Sequence, residues 1–318
     1  MIGVCIVTYN QEAYIAQAIE SVLKQEDCPE VIRLYIGNDC STDRTTVICE
    51  DFVRRYPNTI TLINNDNNLG LVRNTLNVLT RIKEDGNNYV AMLDGDDYWC
   101  DCHKLQKQLE ILKSDPSVGF VHTNLSYLLG ETLLPGHKKT PPSGYVFNDM
   151  GHFSIGNCTV MFRSGLLDTI DFNELYNYGF LSLDGVMYTL FSAVTNFCYI
   201  DEITAVWRRG HISVSNTRDE EKQIAYLENE KAMWSYLDQR FPGRYGYSDE
   251  AWQLYHNYKV FNIAYNFNDY SLAHSLSRAP MSNSDFKFFV KRLCASNRLL
   301  FRFWCHLKGK RASYSITH

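Results

Sequence analysis

Three carboxylates stand within four positions of this chain, at Asp94, Asp96 and Asp97. They follow the apolar run 89–93, which is short and continuous and predicts a strand buried on both faces. Because neighbouring carboxylates repel one another, such a cluster is costly unless a cation neutralises it. Oxygen ligands of this kind suit Mg²⁺ or Mn²⁺, which bridge protein carboxylates to phosphates. The alternative is an acid-rich, solvated turn after a strand.

The elements that must position these acids alternate regularly over the first hundred residues. Apolar, β-branched runs predict strands at 2–8, 31–36, 59–63 and 89–93, with amphipathic helices between them. This alternation predicts an α/β fold with a doubly wound, mostly parallel sheet, in which ligands bind outside the carboxyl ends of the strands. Polar turns at 8–10, 39–43 and 94–97 occupy those ends, and we expect them to share one site. Asn10 is predicted to cap the first helix.

Composition excludes several classes of protein. The chain has 318 residues, 45% of them hydrophobic, and a net charge of −5, which does not indicate nucleic-acid binding. The ten cysteines show no Cys-x-x-Cys spacing, so neither zinc nor a thioredoxin-like site is indicated and reduced thiols are expected. We find no signal-peptide pattern and no run of 18 apolar residues, and these features predict a cytoplasmic protein without a membrane span.

The last hundred residues have a helical pattern and end in a basic, aromatic segment. Residues 285–311 carry eight Lys or Arg against one acid, interleaved with Phe, Leu and Trp. A basic amphipathic helix, predicted over 285–307, can lie on an anionic membrane. One interpretation is therefore peripheral contact with the inner face of the cell membrane through 282–311. The other is a helix packed on the rest of the protein, with a solvated basic face.

Four motifs in register resemble the family 2 glycosyltransferases of the GT-A fold. They are Val-Thr-Tyr-Asn at 7–10 with Ala-Ile-Glu-Ser-Val-Leu-Lys-Gln at 18–25, Asn-Asp-Cys-Ser-Thr-Asp at 38–43, Asn-Leu-Gly-Leu-Val-Arg-Asn at 68–74, and Leu-Asp-Gly-Asp-Asp-Tyr-Trp at 93–99. The resemblance implies a GT-A domain over 1–215, with a nucleotide-binding half (1–100) and an acceptor half (101–215), followed by a helical region over 216–318. It also implies inverting transfer of a single sugar from a nucleotide-sugar, usually a UDP-sugar, to a sugar or lipid-linked acceptor. The expected setting is bacterial polysaccharide or glycoconjugate biosynthesis.

The same resemblance assigns roles on the nucleotide side. Asp39 falls where the family accepts the imide N–H of uracil, as a carboxylate can. Asp96 matches the usual ligand of Mn²⁺ or Mg²⁺, with Asp94 near the ribose and the metal. Asp97 is either structural or in direct contact. The rest of the predicted nucleotide-sugar site comprises Thr8, Tyr9, Asn10, Glu12, Arg73 and Gly95, of which Thr8, Tyr9 and Arg73 could instead have a plain packing or surface role.

On the acceptor side the resemblance implies a general base that opens a helix. Asp184 is the matching candidate, although Leu183 stands where the family often has an acid, and Asp184 could equally be a first-turn acid that satisfies the helix dipole. Asp168 and Asp171 are lesser competitors. In the closing motif at 207–215, Arg208 or Arg209 would clamp the diphosphate. His211 would complete the metal shell or contact phosphate, unless it is an ordinary surface histidine.

Two other functions use parts of the same pattern. A nucleotidyltransferase acting on a sugar phosphate would share the carboxylate-bound metal, but the N-terminal region has no Gly-rich phosphate loop. A non-catalytic sugar-nucleotide-binding module would keep the fold, and the intact acids at 39, 94, 96 and 184 count against it. The Gln-x-x-Arg-Trp motif of processive polysaccharide synthases is absent from the sequence, which favours transfer of single sugars.

Overall fold

The computed structural model describes residues 1–136, 141–150, 153–209, 219–244, 248–282 and 286–314. The chain divides into two compact units, Met1–His211 and Ile212–His318. The predicted domain boundary at 215/216 falls within 210–218, outside the described residues, and stays a prediction.

A single mixed sheet organises the described part of the first unit. Its strands are β1 Ile2–Thr8, β2 Ile32–Asn38, β3 Ile60–Asn64, β4 Tyr89–Asp94, β5 Tyr98–Trp99, β6 Val118–Leu129, β7 Thr132–Pro135, β8 Met161–Arg163 and β9 Asn196–Arg209. The helices are α1 Ile15–Leu23, α2 Thr45–Arg55, α3 Leu71–Glu84, α4 Lys104–Ser114, α5 Phe172–Tyr178 and α6 Asp184–Ser192. The strand order is β3-β2-β1-β4-β8-β6-β9-β5, and β7 pairs with β6.

The first four strands form the parallel half, as their apolar runs predict. Thr8 lies opposite Asn38 on β2, and Val7 lies opposite Asp94 on β4. The carboxyl ends of β1, β2 and β4 are therefore level with one another. Buried side chains of these strands and of α1 make up much of the hydrophobic core, so the polar turns are held at one edge of a rigid layer.

The second half of the sheet contains antiparallel pairs. Strand β8 is antiparallel to both β4 and β6, while β9 runs parallel to β6. The short β5, just after the acidic turn, pairs antiparallel with β9, with Tyr98 opposite Val206. This pairing returns residues near 208 to the acidic turn. The predicted fold class is confirmed, with antiparallel strands in the second half of the sheet.

The expectation that Asn10 caps the first helix is wrong. Helix α1 begins at Ile15, and Tyr14 is its N-cap residue. Asn10 has a left-handed backbone, with φ of 52°. Its Oδ1 accepts a hydrogen bond of 2.8 Å from the backbone N–H of Thr42, so this side chain joins two turns and does not cap the helix.

The second unit is helical in its described part. It contains α7 Glu220–Arg240, α8 Asp249–Phe267, α9 Tyr270–Leu276, α10 Phe286–Ala295 and α11 Arg298–Tyr314. The prediction of one helix over 285–307 is wrong, because Asn297 starts a new one. Its Oδ1 accepts from the backbone N–H of Leu299 at 2.9 Å and of Leu300 at 3.3 Å, as an N-cap side chain does.

Candidate active site

The acidic turn after β4 sits tightly against the end of β1. The Gly95 N–H donates to the Val7 carbonyl at 3.0 Å. A Cβ added to Gly95 would lie 2.4 Å from Oε1 of Gln11 and 2.9 Å from Cβ of Thr8. A side chain at position 95 would collide with the side chains of Thr8 and Gln11, so this position favours glycine.

The surroundings of Asp94 disfavour its negative charge. It ends β4, and its Oδ1 accepts a 2.9 Å hydrogen bond from Nδ2 of Asn157. Burial, followed by the negative charges of Asp96 and Asp184, raises its pKa to about 7. The site thus concentrates negative charge that a cation would neutralise.

Asp97 has a structural position. It is 2% exposed, and its Oδ1 accepts a 2.8 Å hydrogen bond from the backbone N–H of Arg208. Burial, with the charges of Asp94 and Asp96, raises its pKa well above the usual value. Of the two roles left open by the sequence, the geometry favours the one in which Asp97 anchors β9 to the acidic turn.

Arg208 lies beside the acidic turn, and Arg209 is held elsewhere. The Arg208 guanidinium lies 4.9 Å from the ring centroids of both Tyr14 and Tyr98. It donates to the backbone carbonyl of Asp96 and to Oε1 of Gln17. Arg209, in contrast, lies over aromatic rings on β6 and β9, at 4.1 and 4.5 Å from Tyr127 and Trp207.

The Asp39 carboxylate is buried at the end of β2 and organises the loop before α3. Its Oδ1 accepts from Nδ2 of Asn65 at 2.9 Å and from the Leu69 N–H at 2.8 Å. Its Oδ2 accepts from the Gly70 N–H at 2.8 Å. A carboxylate has about four acceptor positions, so one remains on Oδ2 for a ligand.

The other predicted residues of the β1 turn differ in exposure. Thr8 is buried and donates to Oε1 of Gln11 at 2.8 Å, whereas Tyr9 is 45% exposed. The Glu12 carboxylate accepts from the backbone N–H of Arg44 at 2.8 Å. Glu12, like Asn10, thus fixes the β1 turn to the turn after β2, while Tyr9 is accessible to a ligand.

Arg73 is exposed on the first turn of α3. Its guanidinium carbon lies 5.9 Å from the ring of Tyr176 on α5. The Tyr176 hydroxyl also donates to Oδ1 of Asn77, one turn further along α3. These contacts place Arg73 where α3 meets α5.

Asp184 is the first residue of α6 and is half-buried. The Ser182 hydroxyl donates to its Oδ1, and its charge contributes to the raised pKa of Asp94. The two competitors have other partners: Asp168 pairs with Lys83, and Asp171 caps α5. Of the three candidate bases, Asp184 is the one that the fold brings near the acidic turn. His211 lies outside the described residues.

Sequence reasoning missed the buried polar groups behind the turn. Lys104 on α4 is fully buried and donates to Oε1 of Gln108 at 2.7 Å, with its Nζ 4.4 Å from the Trp99 ring. Burial lowers its pKa to about 7. Asn157 was missed too, since it precedes a short strand without any motif. Neither residue type nor spacing distinguishes these positions from ordinary helix and strand ends.

Comparison with known proteins gives one extended family match. The model described as "Glycosyl transferase family 2" matches residues 3–170, more than half of the chain. The dTDP-rhamnosyl transferase RfbG of Shigella flexneri is 32% identical over 93 residues, which are 29% of this chain and 32% of RfbG. The chain spans about a third of the length of the first curated relatives that it matches.

Two solved structures have the same fold over most of the chain. One is S. aureus TarS 1-349 in complex with UDP, with a TM-score of 0.54, 16% identity, and coverage of 92% of this chain and 79% of TarS. The other is the mannosyltransferase PcManGT from Pyrobaculum calidifontis in complex with GDP-Man and Mn²⁺, with a TM-score of 0.57, 14% identity, and coverage of 99% and 86%. At these identities the likeness shows the GT-A fold.

Proposed function

We propose that this chain, which belongs to glycosyl transferase family 2, transfers a single sugar from a UDP-sugar with inversion. The premise is the family itself, whose members are glycosyltransferases that use nucleotide-sugars. One observation carries the proposal. The carboxyl ends of β1, β2 and β4 bring the buried carboxylate of Asp39 to the same edge of the sheet as Asp94 and Asp96, with Asp184 close by on α6. A donor and an acceptor could therefore meet at one edge of the sheet.

The donor base would be a pyrimidine that carries an imide N–H. The free acceptor position on Asp39 Oδ2 can take such a hydrogen bond, and it would face the lone pair of cytosine unfavourably. Thr8 and Tyr9 would form the pocket wall, and Arg73 and Arg208 would supply positive charge for the nucleotide. Uracil and thymine share the imide, so the choice of UDP rests on the family resemblance and on the UDP complex of TarS.

The acidic turn fits a divalent cation. Asp94 and Asp96 provide oxygen donors. Burial, and then the negative charges of Asp96 and Asp184, raise the pKa of Asp94, and a bound cation would favour its ionised form. Asp96, Asp94 and His211 would hold Mn²⁺ or Mg²⁺, and the Mn²⁺ of PcManGT supports Mn²⁺. When bound, the ion would supply charge neutralisation for the diphosphate leaving group.

Asp184 would act as the general base. The acceptor hydroxyl would give its proton to the Asp184 carboxylate while its oxygen bonds to the anomeric carbon from the face opposite the diphosphate. The bond from that carbon to the diphosphate oxygen would break, and the configuration would invert. The position of Asp184 at the start of α6 and near Asp94 supports this role.

The reaction is tested by incubating the protein with UDP-, dTDP- and GDP-sugars and Mn²⁺ and measuring nucleoside diphosphate and pyrophosphate separately. We expect UDP release that EDTA and Asp96→Asn abolish, with Asp168→Asn as a matched control that keeps activity. Pyrophosphate formation from a sugar phosphate and a nucleoside triphosphate would instead show a nucleotidyltransferase. Donor binding without turnover, with any acceptor tried, would indicate a binding module.

For the acceptor, we propose a lipid-linked or polymeric glycan made in a bacterium, with the second unit contacting an anionic membrane at its cytoplasmic face. The family match and the similarity to RfbG support this setting. None of the described helices is both long and apolar enough to span a bilayer. Any membrane contact of the described helices would therefore be peripheral.

The α10–α11 surface is the part of the second unit that could make this contact. Phe288 and Phe301 pack into the core, and Arg292 donates inward to the carbonyls of Ser277 and Ala279. Five large apolar side chains nevertheless remain 50–76% exposed, namely Phe289, Leu293, Leu299, Leu300 and Phe303. These exposed apolar side chains on two consecutive helices support an interaction surface there.

Cations accompany this apolar surface. Arg298, Arg302 and His306 lie one turn apart on α11 and line a cavity of about 720 Å³ opposite Tyr270 and Ser271 of α9. Guanidinium groups bind phosphate oxygens well, so this cavity suits a phospholipid head group. The exposed Leu299 and Phe303 follow each arginine by one residue, where they could enter the membrane interface.

Vesicle sedimentation tests the contact. Vesicles with phosphatidylglycerol should bind the protein and pure phosphatidylcholine vesicles should not. At about 1 kcal/mol per cation near the surface, Arg298→Gln with Arg302→Gln should weaken binding by roughly 30-fold. Arg54→Gln with Arg55→Gln on α2 is the charge-matched control and should bind normally. Equal binding to both vesicle types, or to neither, contradicts the membrane proposal.

A further inference from the structure

Two hydrogen bonds join Asp94 to helix α6 through Asn157. The Nδ2 of Asn157 donates to Oδ1 of Asp94 at 2.9 Å, and the Tyr188 hydroxyl donates to Oδ1 of Asn157 at 2.6 Å. Tyr188 is buried, and Asn157 begins the short 3₁₀ turn that leads into β8. Three elements, β4, this turn and α6, therefore meet at one side-chain amide.

The hydrogen-bonding chemistry of Asp94 and Tyr188 sets which side of the Asn157 amide faces each of them. In its ionised form, which a bound cation would favour, the Asp94 carboxylate only accepts hydrogen bonds, and Asn157 turns its NH₂ group toward it. Its carbonyl oxygen then faces the Tyr188 hydroxyl, which is able to donate. Without that hydroxyl only the bond to Asp94 would hold the amide, which could then shift or tilt. The Tyr188 hydroxyl thus fixes the amide from its second side, in the orientation that supports Asp94.

Tyr188 and Asp184 lie on the same helix, four residues apart. Side chains at this spacing share one face of a helix. Burial, then the charges of Asp184 and Asp94, raises the pKa of Tyr188, and the Asp184 charge also acts on Asp94. The helix therefore brings both side chains into the neighbourhood of the acidic turn.

We infer that Asn157 and Tyr188 are positioning residues, which hold the Asp94 carboxylate in one orientation and fix its separation from Asp184. The inference rests on the proposed function, because that function places Asp94 on the donor side of the transfer and Asp184 on the acceptor side. Both residues act through Asp94 and need not touch the reacting atoms. Loss of such a supporting hydrogen bond around a metal site lowers metal affinity or activity by about 10- to 100-fold.

The test is Tyr188→Phe, which removes one oxygen atom and keeps the ring. Tyr35→Phe is the matched control. Tyr35 is also buried, donates to a carboxylate oxygen of Asp85 at 2.9 Å and accepts from Nδ2 of Asn87 at 2.9 Å. These partners lie before β4, at the opposite edge of the sheet from Asp94. Mn²⁺ affinity is measured by electron paramagnetic resonance of the free ion, and kcat and donor KM are measured separately.

We expect Tyr188→Phe to lower Mn²⁺ affinity or kcat by about 10- to 100-fold, while Tyr35→Phe changes neither. In an Asn157→Ala background, Tyr188→Phe should have no further effect, since the hydroxyl acts through that amide. Equal behaviour of the two Tyr→Phe variants, or a Tyr188→Phe effect that survives Asn157→Ala, overturns the inference. A wild type that binds no Mn²⁺ also overturns it. A wild type that binds Mn²⁺ but releases no nucleotide refutes the proposed function, and the Mn²⁺ comparison still decides the role of Tyr188.

Discussion

Lys104 provides a quantitative test of the buried environment behind the acidic turn. In the folded protein its pKa falls from 10.5 to about 7 because burial disfavours the charged form. Between these two values the unfolded chain holds a proton that the folded chain lacks, so folding becomes more favourable as the pH rises. At 1.36 kcal/mol per pKa unit, the shift changes the free energy of unfolding by about 5 kcal/mol in total. About 2 kcal/mol of this stability is gained between pH 7 and pH 9.

The perturbation is Lys104→Met, which keeps the length of the side chain and removes the titrating group. Loss of the hydrogen bond to Gln108 lowers the stability of the variant by a similar amount at each pH, so it leaves the slope unchanged. Urea unfolding at pH 7, 8 and 9 should show the wild type gaining about 2 kcal/mol relative to Lys104→Met. Lys113→Met, on the same helix, is the control. It keeps Lys104, so the wild type should show no such gain relative to it. Parallel stability curves for wild type and Lys104→Met would refute the reasoning.

Three further predictions concern the acidic turn and the neighbouring Asp184. Asp97→Asn can still accept the hydrogen bond from the Arg208 N–H, so it should keep kcat within about tenfold of the wild type. Asp97→Ala removes that acceptor and should lower the free energy of unfolding by about 1–3 kcal/mol in urea titrations. Asp184→Asn cannot take a proton and should lower kcat by about 10²–10⁴-fold with donor KM unchanged; an equal loss in KM would show a binding role. Gly95→Ala should lower the unfolding free energy by about 1–3 kcal/mol and raise donor KM, because its Cβ would meet Thr8 and Gln11. A Gly95→Ala protein with normal stability would show that the turn can move.

The parallel half of the fold could be predicted from the sequence because each of its strands is a local apolar run. Residues 89–93 are buried in β4 as expected, and the rule that ligands bind at carboxyl ends then brings Thr8, Asp39 and Asp94 together. These inferences need only local patterns and one topological rule.

The second half depends on pairings between distant residues, which local patterns do not encode. The return of β9 to β5 places Arg208 at the acidic turn across 112 positions of sequence. Asn157 and Tyr188 become neighbours of Asp94 through the same long-range packing. The break between α10 and α11 occurs where the Asn297 side chain caps α11, within a run of apolar and basic residues that predicts one continuous helix.

The most direct test of the account is a crystal structure of the protein with a UDP-sugar and Mn²⁺. We expect the uracil imide within hydrogen-bond distance of Asp39 Oδ2, the ion on Asp96, and the anomeric carbon on the side that faces Asp184. Nucleotide bound away from the carboxyl ends of β1, β2 and β4, or at this edge with its base remote from Asp39, would contradict it.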